Sequence, residues 1–417
     1  MLDLLHRQRL YRNNEAFDIE RDAIIQQLEV LSQNSVHKSF ATLCLIPTAT
    51  RPASDSSTPN EPKKAHLVGI NQLNQDPYLP TVNVKLLTES VPIAFCYQNN
   101  DQEYPLVTLH IDNTHLQSVC IANVKVSFDG YSNSAERHIK IPAGSQQAET
   151  FLPLIGKERM KEIKESCPVT LRIEVQYFSP FILNWTYTNK IYLLSRNTTI
   201  LWRCQQDGSL IDCTRHLAAW VTPHHPKIEK LIRSACEYHP EKSFRGYSVQ
   251  GTREVQLQKV RDQVQAIFEV LHREVRMRYV SSSEMIPTNK NFDLQKAQSI
   301  RFPAEVIDAG GPANCIDSTV LFASLLEHAN LQPLIFLQPG HALVGWHVFK
   351  DDPVYEFLET TIIDRGDFHL ALRQGQEQYE QAYSRGALGR TIIDPCDYAF
   401  LVDIADCRRE NIQPMDW

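Results

Sequence analysis

The sequence predicts an α+β protein of several domains. Three patterns support this class: an amphipathic helical stretch near the start, a middle region of alternating apolar and polar residues, and a final region that mixes helix and strand patterns. The 417 residues fit two or three domains, and 42% of them are hydrophobic, enough for real cores. We expect an N-terminal segment over 1–64, a β-rich domain over 65–198 and an α+β domain over 199–417.

The composition excludes several classes of function. The formal net charge is −7 and no long basic run is present, so direct nucleic-acid binding has little electrostatic basis. No apolar stretch reaches the roughly 18 residues of a membrane span, and the start lacks the apolar core of a signal peptide. The ten cysteines include no CxxC pair. This spacing favours a reducing cytoplasm over disulfides or zinc, and we expect neither a metal nor another cofactor.

The first segment combines an amphipathic helix with a linker. Over 14–34 one helical face is apolar, formed by Phe17, Ile24, Leu28 and Leu31. This helix packs against its own protein or docks on a partner, and the sequence leaves both open. A short strand is possible at 40–46. Residues 47–64 are rich in Pro, Ser and Thr and predict a flexible linker that lets the segment tether the protein to a larger complex.

The β-rich region shows the two-residue period of strands that are half buried. The alternating apolar positions include Val107, Leu109 and Ile111, then Val124, Val126 and Phe128, and later Val169, Leu171, Ile173, Val175 and Tyr177. Turn residues such as Asp129-Gly130 separate the runs. Several short antiparallel strands at this spacing predict a β-sandwich of immunoglobulin-like type, and no catalytic grouping lies within it.

The last region places a cysteine where a buried helix begins. Helical periodicity starts near Pro226 and continues over 254–276, and a polar loop follows at 281–291. Gly310-Gly311-Pro312 then forces a turn, after which 317–329 is apolar almost all round, as in the central helix of a domain. Cys315 therefore lies at a helix N-terminus, where the dipole and backbone N–H groups favour a thiolate and can hold an oxyanion.

Three strands after this helix supply an imidazole and a carboxylate. The predicted strands are 334–337, 341–348 and 354–361, so the central helix packs on an antiparallel sheet. In such a hairpin Glu359 falls within a few residues of the position opposite His341. Cys315 is the expected nucleophile, His341 the general acid and base, and Glu359 the group that orients the imidazole. The open alternatives are His347 as the base, Asp364 as the acid and Gln298 as a side-chain oxyanion donor, whereas Asp317 is expected to stabilise the helix start and His328 to point away from the strands.

These residues resemble a transglutaminase-like cysteine protease domain, a branch of the papain-like superfamily. That family has a Cys at a helix start, a His-Ala strand start and an acid before a Thr, matched here by Cys315, His341-Ala342 and Glu359-Thr360, although the acid is usually Asp. Residues 220–417 further resemble the transglutaminase-like region of large bacterial helicase-fused proteins, in which an immunoglobulin-like sandwich comes first. The matching pieces are Pro223-His224-His225-Pro226, Ile300-Arg301-Phe302-Pro303-Ala304-Glu305-Val306, Asn314-Cys315-Ile316-Asp317, Leu321-Phe322-Ala323-Ser324-Leu325-Leu326-Glu327, Pro339-Gly340-His341-Ala342-Leu343-Val344-Gly345 and Val402-Asp403-Ile404.

The resemblance implies a regulated effector of bacterial conflict or antiviral systems. Such domains often stand beside a short adaptor segment that recruits a sensor, so a protein substrate and a protein partner are expected, the partner bound through residues 1–64 or the β-sandwich. The leading interpretation is a cysteine peptidase that acts through a thioester. A transamidase would pass the same thioester to an amine. A catalytically inactive interaction or scaffold module is the third interpretation, in which the β-sandwich and the N-terminal helix carry the function.

Overall fold

The computed structural model describes residues 71–72, 79–98, 105–180, 182–204, 210–248, 250–281, 297–388 and 398–415. The predicted helix at 14–34, strand at 40–46 and linker at 47–64 lie outside these ranges, as does most of the predicted loop at 281–291. The described residues form a mixed α+β structure with several sheets, which confirms the predicted class. Within them, no helix is both long and apolar enough to cross a membrane.

The β-rich half is built from two sheets around one core. Its strands are β1 (Asn71–Gln72), β2 (Thr81–Leu86), β3 (Ser90–Val91), β4 (Val107–Asp112), β5 (Cys120–Phe128), β6 (Ala135–Ile141), β7 (Gln146–Phe151), β8 (Cys167–Ser179) and β9 (Leu183–Leu193). One sheet has the order β1-β2-β4-β7 and the other the order β3-β9-β8-β5-β6. Two short helices, α1 (Ile93–Gln98) and α2 (Lys157–Glu162), lie between strands. The alternating apolar residues of β4, β5 and β8 are buried in the shared core, as their period predicts.

The second half begins with short strands and helices. They are β10 (Thr198–Thr199), β11 (Trp202–Cys204), β12 (Leu210–Asp212), α3 (Pro226–Ala235), α4 (Arg253–Val270), β13 (Arg278–Tyr279), β14 (Gln298–Ser299), α5 (Pro303–Asp308) and β15 (Pro312–Ala313). The helix predicted over 254–276 ends as a π-helical turn, Leu271–Val275, whose C-cap residue Arg276 has φ +56°. Short 3-10 turns occupy Thr214–Trp220 and Cys236–Tyr238.

The elements that carry the predicted site are a buried helix and a four-stranded antiparallel sheet. They are α6 (Cys315–His328), β16 (Pro333–Gln338), β17 (His341–His347), β18 (Tyr355–Leu358), the 3-10 turn Thr360–Arg365, α7 (Phe368–Ser384), β19 (Phe400–Asp403) and α8 (Ile404–Arg409). The strand order is β18-β17-β16-β19. Ala342 and Val344 pack with α6 on one face, while Leu343 and Phe357 pack with Ala382 of α7 on the other.

The two halves are joined by hydrogen bonds and by an ion pair. The hydroxyl of Tyr97, in α1, donates to the carbonyl of Pro414 at 2.8 Å. Arg196 forms an ion pair with Glu305, at the start of α5, and the Asn197 amide donates to the same carboxylate at 2.7 Å. Together with the short ladder between β10 and β14, the contacts of Arg196 and Asn197 connect the β-rich half to the segment that leads into the cysteine turn.

Candidate active site

The turn before Cys315 has a backbone conformation that favours glycine at two positions. Gly310 and Gly311 have φ of +74° and +94°, a region that disfavours other residues. A Cβ on Gly311 would lie 2.6 Å from the Val275 carbonyl oxygen, so a side chain there would clash with backbone. Asn314 then caps α6 by accepting the Asp317 N–H at 2.8 Å. The chain thus delivers Cys315 as the first residue of the helix, as predicted.

A buried ion pair fixes the first turn of α6. Asp317 accepts the backbone N–H of Arg301 at 2.8 Å and the Arg301 Nε at 2.9 Å. The same guanidinium donates to the carbonyl of Pro312, in the cysteine turn. Burial raises the pKa of Asp317, and its bonds with Arg301 offset part of that effect. Asp317 therefore has the helix-start role that the sequence predicted, and Arg301 ties that helix start to the turn.

His341 stands between the thiol and a carboxylate. The Pro339-Gly340 turn places it first in β17, opposite Gln338 at the end of β16. Its Nε2 lies 2.7 Å from Oε2 of Glu359. The imidazole also interacts with the thiol of Cys315, and because Nε2 is used by Glu359, Nδ1 is the ring nitrogen left for the sulfur. The structure therefore brings Cys315, His341 and Glu359 together in the predicted order.

The Glu359 carboxylate is buried and surrounded by donors. Glu359 is 4% exposed, follows β18 directly and caps the 3-10 turn. Its Oε1 accepts the backbone N–H of Thr361 at 2.9 Å and the Thr361 hydroxyl at 2.6 Å. Its Oε2 accepts from His341 and, at 2.8 Å, from Nε2 of Gln378. Burial alone would raise the pKa of Glu359, but the bonds from His341 and Thr361 outweigh it and lower the pKa to about 2.

The same contacts favour an imidazolium. Burial alone would lower the pKa of His341, but hydrogen bonds to Cys315 and Glu359 raise it to about 10. Three other buried thiols are shifted by burial toward the protonated form: the pKa of Cys96 is raised to about 12, and that of Cys120 and Cys407 to about 11, although Arg215 offsets part of the effect at Cys407. The site therefore combines a charged imidazole with a carboxylate that stays ionised.

The rival residues from the sequence are engaged elsewhere. His347 contacts Asp403 through Nε2 at 2.8 Å and the carbonyl of Asp352 through Nδ1 at 2.9 Å, so both ring nitrogens are occupied. Nδ1 of His328 lies 2.6 Å from the carbonyl of Pro223. Asp364 is exposed on the 3-10 turn. None of these three contacts the Cys315–His341 pair in the described part of the chain.

Two side chains were not foreseen as the structure has them: Gln298 is engaged within its own strand, and Tyr279 lies near the site. The side-chain amide of Gln298 donates to the Ser299 carbonyl at 2.8 Å, within its own strand. Tyr279, which the sequence did not single out, is 40% exposed and lies beside Ala313 in the parallel pair of β13 and β15. Burial and the charges of Cys315 and Glu359 raise its pKa. Its closeness to the thiol depends on a long-range strand pair that the local pattern does not reveal.

No family model matches the chain, and no curated protein is significantly similar to it. Among the described residues, no three His, Cys, Asp or Glu side chains are grouped closely enough to hold a metal ion. Seven cysteines in the described part of the chain are free, namely Cys96, Cys120, Cys167, Cys213, Cys236, Cys315 and Cys407.

Proposed function

We propose that the protein is a cysteine peptidase with Cys315 as nucleophile, His341 as general acid and base, and Glu359 as the residue that orients the imidazole. The observation that carries the proposal is that the His341 imidazole interacts with the Cys315 thiol and is hydrogen-bonded to the Glu359 carboxylate, with the thiol at the N-terminus of a buried helix. Proximity of an imidazole activates a thiol, and a fixed carboxylate holds the imidazole in the required orientation.

In the proposed reaction the Cys315 thiolate attacks a peptide carbonyl carbon, and the carbonyl electron pair moves to oxygen. The C–N bond then breaks as the His341 imidazolium gives its proton to the departing amine, which leaves a thioester on Cys315. Water attacks this thioester while His341 takes one of its protons. Expulsion of the thiolate then yields the carboxylic acid. Glu359 stays ionised throughout, because its pKa is lowered to about 2, and the carboxylate holds the imidazole ring.

The oxyanion requires donors at the start of α6. The backbone N–H of Cys315 belongs to the first helical residue, whose N–H has no partner inside the helix. The Tyr279 hydroxyl is the second candidate donor, because the phenol is within electrostatic range of the thiol and is part exposed. Gln298 is the weaker candidate, since its amide already donates within its own strand.

The burial of the thiol favours amine transfer as a second candidate function. Cys315 is only 2% exposed, whereas the His341 side chain is 20% exposed. A thioester that is shielded from bulk water persists longer and can be taken by an amine that enters the site. Acyl transfer in the presence and absence of a primary amine separates the two reactions, because a transamidase consumes the amine in preference to water.

The finer fold assignment is part of the same proposal. We assign 199–417 to a transglutaminase-like cysteine protease domain and 65–198 to an immunoglobulin-like sandwich. The support is the order of elements, in which a cysteine-bearing helix is followed by antiparallel strands with His341 at the start of one and Glu359 at the end of the next. By this assignment the protein is a regulated cytoplasmic effector of a bacterial conflict or antiviral system. It acts on a protein substrate and meets its partner through 1–64 or the sandwich.

A thiol-directed acyl probe read by mass spectrometry tests the peptidase proposal in the folded chain. We expect Cys315 to be acylated faster than Cys96, Cys120 and Cys407, which serve as internal controls because burial keeps their thiols protonated. The proposal is wrong if Cys315 reacts no faster than these three. Unchanged biological activity in a Cys315→Ala variant would instead favour the scaffold interpretation.

A deletion of residues 1–46 tests the proposed recruitment of a partner. If this segment only tethers the protein, the reactivity of Cys315 stays at the full-length value while partner binding is lost. Loss of the folded state on deletion would instead assign the segment to the core. Cooperative thermal unfolding of the truncated chain distinguishes these results.

A further inference from the structure

The proposed orienting residue is itself held by a residue from another element. Two of the donors to Glu359, the backbone N–H and the hydroxyl of Thr361, belong to one residue of the turn that Glu359 caps. Gln378 reaches the carboxylate from α7, on the other side of the sheet end, and its Nε2 shares Oε2 with His341 at 2.8 Å and 2.7 Å respectively. Gln378 therefore donates to the same carboxylate oxygen that contacts the imidazole.

The amide of Gln378 has a partner that sets its orientation. A glutamine amide presents either its oxygen or its nitrogen, depending on its neighbours. Nε2 of Gln338 donates to Oε1 of Gln378 at 2.6 Å, so the Gln378 nitrogen is directed to Glu359. Gln338 is also the residue opposite His341 in the ladder of β16 and β17. Gln338, Gln378, Glu359 and His341 thus form a hydrogen-bonded series of side chains. Its two end residues lie opposite each other in one strand pair.

The backbone of α7 is placed against the end of β18 close to Gln378. A Cβ on Gly375 would lie 2.5 Å from the Phe357 carbonyl oxygen and 2.6 Å from the Leu358 nitrogen, so the helix and the strand are in direct contact there. The N–H of Glu359 donates to the carbonyl of Ala371, in the same helix, at 3.0 Å. Gln378 follows Gly375 by one turn, so the helix delivers its amide from a fixed distance.

We propose that Gln378 is a positioning residue for Cys315 chemistry: it fixes the Glu359 carboxylate so that His341 presents Nδ1 to the thiol, and Gln338 sets its amide for this purpose. The inference rests on the proposed function. Its physical basis is that a carboxylate with a donor missing can rotate, and a displacement of about 1 Å in a catalytic group costs as much as ~10²-fold in rate.

The test uses the full chain and p-nitrophenyl acetate, whose acetyl group is transferred to the thiolate with release of nitrophenolate. Wild-type protein should give a rapid release of one equivalent that is absent in Cys315→Ala. If wild type and Cys315→Ala release nitrophenolate alike, the proposed function fails. If the release depends on Cys315, the Gln378 variants decide the present inference separately.

Gln378→Leu removes the donor, and we expect acylation of Cys315 to slow by about 10- to 100-fold at every pH. Gln378→Glu keeps the size of the side chain but places two carboxylates together. One of them should hold a proton at low pH and donate as the amide does. The groups that face this position are Glu359, His341 and the amide of Gln338, with Cys315 and Tyr279 within electrostatic range. Acylation in Gln378→Glu should therefore approach the wild-type rate at acidic pH and fall as pH rises.

If Gln378 had only a structural role, its replacement by Glu would lower the acylation rate by the same factor at every pH. A Gln378→Glu profile parallel to that of wild type, or an unchanged rate in Gln378→Leu, overturns the inference. Gln338→Glu gives a second measurement if Gln378→Leu fails to fold, because an acceptor at 338 draws the Gln378 nitrogen away from Glu359. We expect the rate loss in Gln338→Glu to disappear against a Gln378→Glu background at acidic pH, whereas simple additivity of the two losses contradicts the assigned amide orientation.

Discussion

The hydroxyl of Ser318 lies 2.8 Å from the hydroxyl of Thr360, and this buried contact joins the helix of Cys315 to the turn of Glu359. Ser318 has one proton, which it directs to the carbonyls of Asn314 and Cys315 at 2.8 Å and 3.0 Å. Thr360 is therefore the donor in the hydroxyl pair. The proposed nucleophile and the proposed orienting carboxylate are thus held together by a bond between neighbours that have no role in the proposed chemistry.

Thr360→Val keeps the shape of the side chain and removes this donor. We expect a loss of about 1–3 kcal/mol in the free energy of unfolding, because the Ser318 oxygen is left with an unsatisfied lone pair. Cys315 acylation should also slow, since the helix and the turn can move apart. Denaturant unfolding and the acyl probe measure the two effects.

Thr319→Val is the matched control for Thr360→Val, because Thr319 directly follows Ser318 in α6. The Thr319 hydroxyl is buried and has no hydrogen-bond partner among the described residues. Its replacement removes an uncompensated polar group, so unfolding free energy should be unchanged or higher. Equal losses in Thr360→Val and Thr319→Val would contradict the assigned role of the Ser318–Thr360 bond.

His341 and His347 lie on one strand, and their substitution separates catalytic from structural roles. We expect His341→Gln to lower the rate of Cys315 acylation by about 10²- to 10⁴-fold, the range for loss of a general base. His347→Gln should leave that rate close to wild type and reduce unfolding free energy by about 1–3 kcal/mol, because it breaks the contact with Asp403. A large rate loss in His347→Gln would transfer the role of base to His347.

The sequence was sufficient for the local features of the site, and long-range contacts explain what it missed. Cys315 at a helix start followed from the Gly-Gly-Pro turn and the apolar run, both of which are local. His341 followed from the Pro-Gly turn, and Glu359 from a strand of predictable length. Gln378 could not be found this way, because its relation to Glu359 depends on where α7 crosses the sheet.

The same limit applies to the rival base. The start of a strand favours His341, but the sequence alone leaves His347, on the same strand, as an open alternative. The distinction comes from Asp403, which is 56 positions away and reaches His347 through the pairing of β16 with β19. The helix, the strands and their α+β class were predictable from period and turn residues, whereas the choice of partner for each polar group was decided by strand order.

Glu359→Gln should change stability most between pH 4.5 and pH 6.5. The pKa of Glu359 is lowered from 4.5 to about 2, so its stabilising contribution is complete above pH 4.5 and is lost as pH falls toward 2. The pKa of His341 is raised from 6.5 to about 10, so its contribution is complete below pH 6.5 and is lost as pH rises toward 10. Both are complete only in the window between these ordinary values.

In that window we expect wild type to exceed Glu359→Gln by about 1.5–3 kcal/mol in unfolding free energy, the range for a hydrogen bond to a charged group. Thermal unfolding of both proteins across pH 3 to about pH 10 measures the difference. Glu377→Gln, which alters an exposed carboxylate on α7, is the control and should follow wild type. A difference that is constant with pH would mean that the Glu359–His341 pair is not charged in the folded protein.

Gly375→Ala tests whether the contact between α7 and β18 positions the site. In an ordinary helix interior this change stabilises by about 1 kcal/mol. Here the added Cβ would lie 2.5 Å from the Phe357 carbonyl oxygen and 2.6 Å from the Leu358 nitrogen, both backbone atoms that cannot rotate away. We therefore expect the opposite sign, a loss of about 1–3 kcal/mol from overpacking. Since α7 must move outward, Gln378 should withdraw from Glu359 and Cys315 acylation should slow. Gln381→Ala, on the exposed side of the same helix, should leave both quantities near wild type; a stabilised Gly375→Ala variant with normal acylation would contradict the close approach of helix and strand.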